Sequence, residues 1–188
     1  AKAIPLPVEA LNRAKSAQAY ASNFNDPLLK DQWNLINNAP FEGKSVVGAD
    51  VQIEEAWKLN TGDPSIIVAV LDEGIDVNHP DLKDNMWQNE GEIYGSTEDN
   101  DNNGYIGDRH GYNFIADCGV ISADDVYDTG HGTHVAGVIA AVNNNGIGIS
   151  SVAGGNGNQS GVKIMSCQIF SGNLAGTVLA EVQAIKYA

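Results

Sequence analysis

Six consecutive apolar residues, Ile66 to Leu71, stop abruptly at the carboxylate of Asp72. A run apolar at every position predicts a parallel strand covered on both faces rather than a half-exposed one. Gly111 to Ile115 predicts a short second strand and Val162 to Phe170 a third. Between and around them the apolar spacing turns helical. Val8, Leu11, Ala14, Ala17 and Ala21 predict a short helix over Glu9 to Ala21, Asp50 caps a helix running through Trp57 and Leu59, and a small-residue helix follows Thr129 to about Asn143. A last helix starts near Ala175. Strands alternating with helices define an α/β fold, a three-layer, mostly parallel sheet with helices on both faces and its site at the carboxyl ends of the strands.

The breaks between these elements carry their own signals. Thr61-Gly62 ends the helix begun at Asp50, and Asp63-Pro64-Ser65 turns the chain into the first strand. Residues 83 to 110 are polar and glycine-rich, too long for a plain connection, which marks them as a functional loop. Ala116 to Asp128 is a second acidic loop and Gly154 to Gly161 a third connection.

Composition narrows the partners. The 188 residues suffice for one domain, and a hydrophobic content of 43% suits a globular chain. The 10 basic against 24 acidic residues leave a net charge of −14, which argues against nucleic acid or an anionic membrane as partner and favours a solvated or cation-binding surface. Cys118 and Cys167 are too few for a disulfide framework, and Cys167 sits in the third apolar run as a small buried hydrophobe. No run reaches membrane-spanning length and no signal peptide is present.

Two stretches carry the chemistry. Asp128-Thr129-Gly130-His131-Gly132-Thr133-His134 places a glycine-flanked histidine at the mouth of a helix, with Asp128 or Thr129 as its cap. Asp72 is delivered at the end of the first strand, so Asp72 and His131 are candidate parts of one catalytic device. His134 lies one turn from His131, but zinc peptidases space their histidines four apart with a glutamate beside the first, so His134 is expected either as a buried residue or as one that backs the site residues. In the long loop, Asp99, Asp101 and Asn103 set oxygen side chains at alternate positions before a glycine, as the first half of an EF-hand does, with the carbonyl of Tyr105 and the carboxyl of Asp108 following. The twelfth position is His110 rather than glutamate, so the loop is a Ca²⁺ candidate without being an EF-hand.

Asp72-x-Gly74-Ile75 with His79-Pro80-Asp81-Leu82, and His131-Gly132-Thr133-His134-Val135-Ala136-Gly137, resemble the aspartate and histidine motifs of the subtilisin-like serine peptidases, the subtilases. Asn25-Asp26-Pro27 through Gln32-Trp33 resembles the start of that family's catalytic domain, which puts a domain start near residue 23 and leaves 1 to 22 as a leading arm or propeptide remnant. The resemblance implies a serine endopeptidase in which Asp72 orients His131 and His131 deprotonates a serine. It further implies a tight Ca²⁺ site from Asp26, Asp81, Asn144 and the carbonyls of Val142, Ile147 and Ile149, and a substrate-pairing segment Ser171-Gly172-Asn173-Leu174 that binds a peptide as an added strand. A secreted, cell-surface or periplasmic location goes with the family.

Two departures shape the expectation. Glu73 stands where the family has serine or threonine beside the aspartate, and a second carboxyl there is expected to raise the pKa of one of the two. The family's nucleophile segment, Gly-Thr-Ser-[Met/Ala], is absent, so the chain reads as the amino-terminal half of the catalytic domain, residues 23 to 188, inactive alone and partnered by the missing carboxy-terminal half. In subtilisin, loss of an oxyanion donor costs about 10²- to 10³-fold and loss of the serine about 10⁶-fold. The missing neighbour also predicts an unpaired edge at Ile66 to Leu71, open to self-association. Two other classes fit the same residues: a catalytically silent subtilase-like binding protein, which Glu73 would favour, and a calcium-binding structural module.

Overall fold

The computed structural model describes residues 24–41, 43–123, 129–171 and 176–188. The helix expected over Glu9 to Ala21 lies outside them. Three parallel strands, β1 (Ile67–Asp72), β2 (Gly111–Asn113) and β3 (Lys163–Gln168), form a sheet in the order β1-β3-β2. Ile67 is level with Lys163 and Asp72 with Gln168, so the ends of β1 and β3 reach the same edge. The helices are α1 (Ile53–Trp57), α2 (His131–Ala140) and α3 (Val178–Tyr187), with 3-10 turns at Leu29–Asp31 and Lys83–Asn85.

Alternation along β1 explains its unbroken apolar run. Val68 and Val70 face a core of Ile75, Leu82, Met86, Ile164, Ala136 and Ala140, the last two from α2. Ala69 and Leu71 face the opposite side, where Met165 and Cys167 of β3 meet Ala184 and Tyr187 of α3. A strand sandwiched by helices on both faces has no polar side to show. The cover is incomplete at its start, where Ile66 and Ile67 are about half exposed at 54% and 47%. Within the described sheet β1 pairs only with β3 and is an edge strand.

Several element ends move relative to the sequence reading. Asp50 does not cap α1; its oxygens accept from the N–H groups of Gln52 and Asn37 in a turn ahead of the helix, and α1 stops at Trp57 without reaching Leu59. A carboxylate offered two backbone donors outside the helix satisfies those instead. α2 ends at Ala140, three residues early, since the loop beyond it is drawn to Asp26 and Asp81. α3 begins at Val178, where the Thr177 hydroxyl accepts from Ala180 N–H at 3.0 Å as a regular N-cap.

The amino-terminal segment is fastened from outside. Leu29, Leu35 and Ile53 form a small core with Phe24 and Trp57. The Gln32 side chain donates to Ser150 O and accepts from Ser150 N, and the Trp57 indole donates to Val152 O.

Candidate active site

Asp72 is the last residue of β1 and His131 the first of α2, and packing of α2 on β1 brings them together across 59 positions. The imidazole Nδ1 lies 2.9 Å from both Asp72 oxygens, and Asp72 Oδ1 also accepts the Glu73 N–H at 2.8 Å. The Asp72 side chain is 10% exposed and that of His131 is 62% exposed, so the acid is buried and the base presents its other nitrogen outward. Gly132 makes the approach possible: a Cβ there would sit 2.1 Å from Gly74 O. The Thr133 hydroxyl, one residue on, accepts from Asp76 N–H at 2.9 Å and pins the same turn.

The hydrogen bond to Asp72, then the Asp72 charge, raise the His131 pKa above its ordinary value, with a smaller contribution from the Glu73 charge. Such a shift favours a ring that gains a proton during reaction. His134 proves exposed on α2 rather than buried, since the next turn of the helix carries it away from the sheet.

Glu73 follows Asp72 directly in the chain. Its side chain turns toward the start of α2, where Oε1 accepts from Thr129 N–H at 3.1 Å, Thr129 Oγ1 at 2.7 Å and His131 N–H at 2.6 Å. Thr129 was expected to cap α2, but the N-cap is Gly130, which has no side chain to offer, and Thr129 donates to Glu73 instead. Asp128 lies outside the described residues.

Two oxygen-rich clusters stand apart from this pair. Asp26 and Asp81 are both buried and converge on the loop after α2. Asp26 accepts from Asn144 N, Asn145 N and the Ser150 hydroxyl; Asp81 accepts from Ile149 N and the Asn145 amide. Gly148 lets the loop close on Asp81, since a Cβ there would lie 2.0 Å from its Oδ2. All these donors are neutral. Burial, and to a lesser degree the Asp26 charge, hold the Asp81 pKa above its ordinary value. Two buried, mutually unfavourable carboxyls with neutral partners suit a hard divalent cation. Of the residues named from sequence, Val142 and Ile149 donate to Asp81, Ile147 donates to Asn145, and the Asn144 side chain accepts from Asn25 N–H. Asn145, missed in the sequence, puts its amide on Asp81; the tandem Asn144-Asn145 was the available signal.

In the long loop Asp101 and the fully buried Asp108 are bridged by two amides. Asn89 donates to both at 2.9 Å, and Asn103 donates to Asp101 at 3.3 Å and to Asp108 at 3.0 Å. Asp99 accepts from Asn103 N and Gly104 N. Carboxyl oxygens of Glu92, Asp99 and Asp101 lie within 4.8 Å of one another. Glu92 was not foreseen, because its oxygens serve Asn100, Asp101 and Gly107 N–H groups and shape the loop from outside its repeat. Asn89, also unforeseen, belongs to the cluster; a half-turn of either amide would present oxygen, giving an all-oxygen set. Tyr105 stacks edge-on against Tyr112 and Tyr187. A cavity of about 430 Å³ opens beside this cluster, against Met165, Lys186 and Tyr187.

Ser171 is partly exposed just beyond β3, while Gly172, Asn173 and Leu174 lie outside the described residues. Cys118 and Cys167 are free, and burial pushes the Cys167 thiol up to about 12, which makes it inert. Among the described residues no helix is long and apolar enough to cross a membrane.

The chain matches known proteins both in sequence and in fold. The model of the subtilase family matches residues 63–188. Subtilisin-like protease 1 of Plasmodium falciparum (isolate 3D7) is 40% identical over 131 residues, covering 69% of this chain and 17% of that protein. Protease KEX1 of Kluyveromyces lactis is 31% identical over 181 residues, covering 95% of this chain and 20% of the relative. In structure the chain is similar to the Aeromonas sobria serine protease, solved with its chaperone, at a TM-score of 0.59 and 25% identity over 87% of this chain and 23% of that one. A Pseudoalteromonas arctica protease gives a TM-score of 0.52 at 27% identity, with 87% and 43% covered. The chain belongs to the subtilase family, and it spans about a fifth of the length of the curated relatives it matches.

Proposed function

We propose that this chain supplies the acid and the base of a serine endopeptidase. The observation that carries the reading is the pairing of His131 Nδ1 with both Asp72 oxygens at 2.9 Å while the rest of the ring stays exposed. With its Nδ1–H held by Asp72, the neutral imidazole keeps a lone pair on Nε2. That atom takes the proton of a serine hydroxyl as the hydroxyl attacks a peptide carbonyl, and returns it to the leaving amine; Asp72 stabilises the imidazolium formed between the two steps. The serine belongs to sequence beyond these residues, so the isolated chain is inactive. The substrate is a peptide or protein, docked along Ser171 to Leu174 as an added strand, and the carboxy-terminal half of the domain is the companion that completes the site. A secretory or extracellular setting suits a calcium-dependent member of this family.

Ca²⁺ is the ion that the oxygen sets favour. Asp26, Asp81, Asn145 and the carbonyls of Val142, Ile147 and Ile149 would hold one ion, and Asn89, Asp99, Asp101, Asn103 and Asp108, with the Tyr105 carbonyl, a second. Bound there, it would supply charge neutralisation and rigidity, with no part in the proton transfers.

The test is casein cleavage and fluorophosphonate labelling of the full-length parent in calcium. Inhibitable cleavage that His131→Ala lowers by about 10⁶-fold supports the peptidase reading. A folded, calcium-binding parent that neither cleaves nor labels assigns the chain to a silent binding protein instead.

A further inference from the structure

The N-cap residue of α2, Gly130, makes no side-chain cap bond. Gly130 has no side chain to accept a bond, and the first turn contains no acidic residue. The first N–H groups of a helix need acceptors, and the helix dipole prefers a negative one. Here the acceptor comes from the strand side of the site: Oε1 of the buried Glu73 takes the N–H of Thr129, the hydroxyl of Thr129 and the N–H of His131 itself. Glu73 is adjacent to Asp72 in the chain, so one backbone turn grips His131 twice, at its ring through Asp72 and at its main chain through Glu73.

The turn is braced from behind. Gln168, fully buried at the end of β3, donates to Glu73 O at 2.8 Å and to the Ser122 hydroxyl at 2.7 Å, and accepts from Ser122 N–H at 3.0 Å. Because Asp72 and Gln168 are level in the sheet, the brace acts on the catalytic acid's own turn.

We propose that Glu73 is a positioning residue for His131: its carboxylate locks the first turn of α2 to the Asp72 turn and so fixes where the imidazole stands. The inference rests on the reading of Asp72 and His131 as acid and base, and gives the residue that sets this chain apart from the common subtilase pattern a role in the chemistry. Serine or threonine at position 73 could not span to His131 N–H in this way, being two atoms shorter than glutamate.

The test uses the full-length parent with Glu73→Ala and Glu73→Gln, read by kcat and KM on a peptide substrate across pH, and by the NMR titration of the His131 ring, assigned with His131→Ala. Glu73→Ala is expected to lose about 10- to 100-fold in kcat, the range a misplaced catalytic group produces, with KM within about twofold. Glu73→Gln keeps an acceptor and recovers most of that loss. Both variants remove a negative charge near His131, so the acid limb of kcat and the ring titration move to lower pH. Unchanged kcat and an unmoved ring titration in folded Glu73→Ala would overturn the proposal. So would equal losses in both variants that merely follow the folded fraction. The ring titration reports the positioning even if the parent proves unable to cleave peptides, a result that would count against the proposed function alone.

Discussion

The hydroxyl of Tyr187, in the last turn of α3, donates to Oδ2 of Asp108 at 2.6 Å, joining the helix to the oxygen-rich loop. Asp108 is fully buried, and burial with the Asp108 bond drives the Tyr187 pKa upward, so the phenol remains a donor at all ordinary pH. Tyr187→Phe leaves the buried carboxylate one donor short. We expect a loss of about 1–3 kcal/mol in the full-length protein, measured by denaturant unfolding in EDTA. An unchanged midpoint would mean that the loop does not lean on α3.

Asp72→Asn keeps the shape of the site but cannot hold Nδ1–H as an acceptor of equal strength. In the full-length parent the expected outcome is a fall in kcat of about 10⁴-fold at neutral pH. The sign of the pH effect follows from the cause of the His131 shift: Asp72 raises that pKa, and in the proposed reaction the neutral ring is the base. The acid limb of the rate profile therefore moves to lower pH in the variant, as stopped assays on a fluorogenic peptide would show.

Gly132→Ala tests the contact between α2 and the Asp72 turn. Its Cβ would meet Gly74 O at 2.1 Å, and a backbone carbonyl cannot swing aside as a flexible side chain can. In the full-length parent we expect a loss of about 10²-fold or more in kcat/KM and about 1–3 kcal/mol in stability, separable by comparing activity with thermal unfolding. Full activity would show that α2 can retreat without cost.

Asp81→Asn addresses calcium. At an ion concentration of 100 Kd, binding contributes about 2.7 kcal/mol, so the rise in Tm on adding Ca²⁺ should shrink in the variant. The ion binds the ionised carboxyl, and the Asp81 pKa is raised by burial, so protons compete with calcium at a higher pH than for an exposed aspartate. In the unsubstituted protein the calcium-induced rise in Tm should therefore weaken as the pH falls toward and below that raised value. In EDTA the sign reverses: a folded-state pKa raised above the unfolded one contributes stability at low pH that is lost as pH rises through it. Calorimetry in EDTA and in calcium, across pH, separates the two cases.

The strands, the main helices and the Asp72–His131 pair were legible because their signals are local. Six apolar residues ending in an acid state a strand and where it ends within a single window, and the histidine motif states a helix start. What the sequence hid is made across distance. Glu73 caps a helix 58 positions away, and Asp50 looks like a cap but answers to Gln52 and Asn37. Asn145 and Asn144 are equal by composition; only the path of the loop decides which amide meets Asp81. Asn89 and Glu92 lie outside the alternating repeat and enter the loop cluster through its folding.

The register of the sheet has a consequence in time. β1 is complete at Asp72, but its only partner among the described strands begins at Lys163. At roughly 5–20 residues per second of synthesis, the intervening chain takes on the order of ten seconds to appear. For that interval the apolar strand that ends at Asp72 lacks its described partner, and the rate of making β3 sets how long that edge waits.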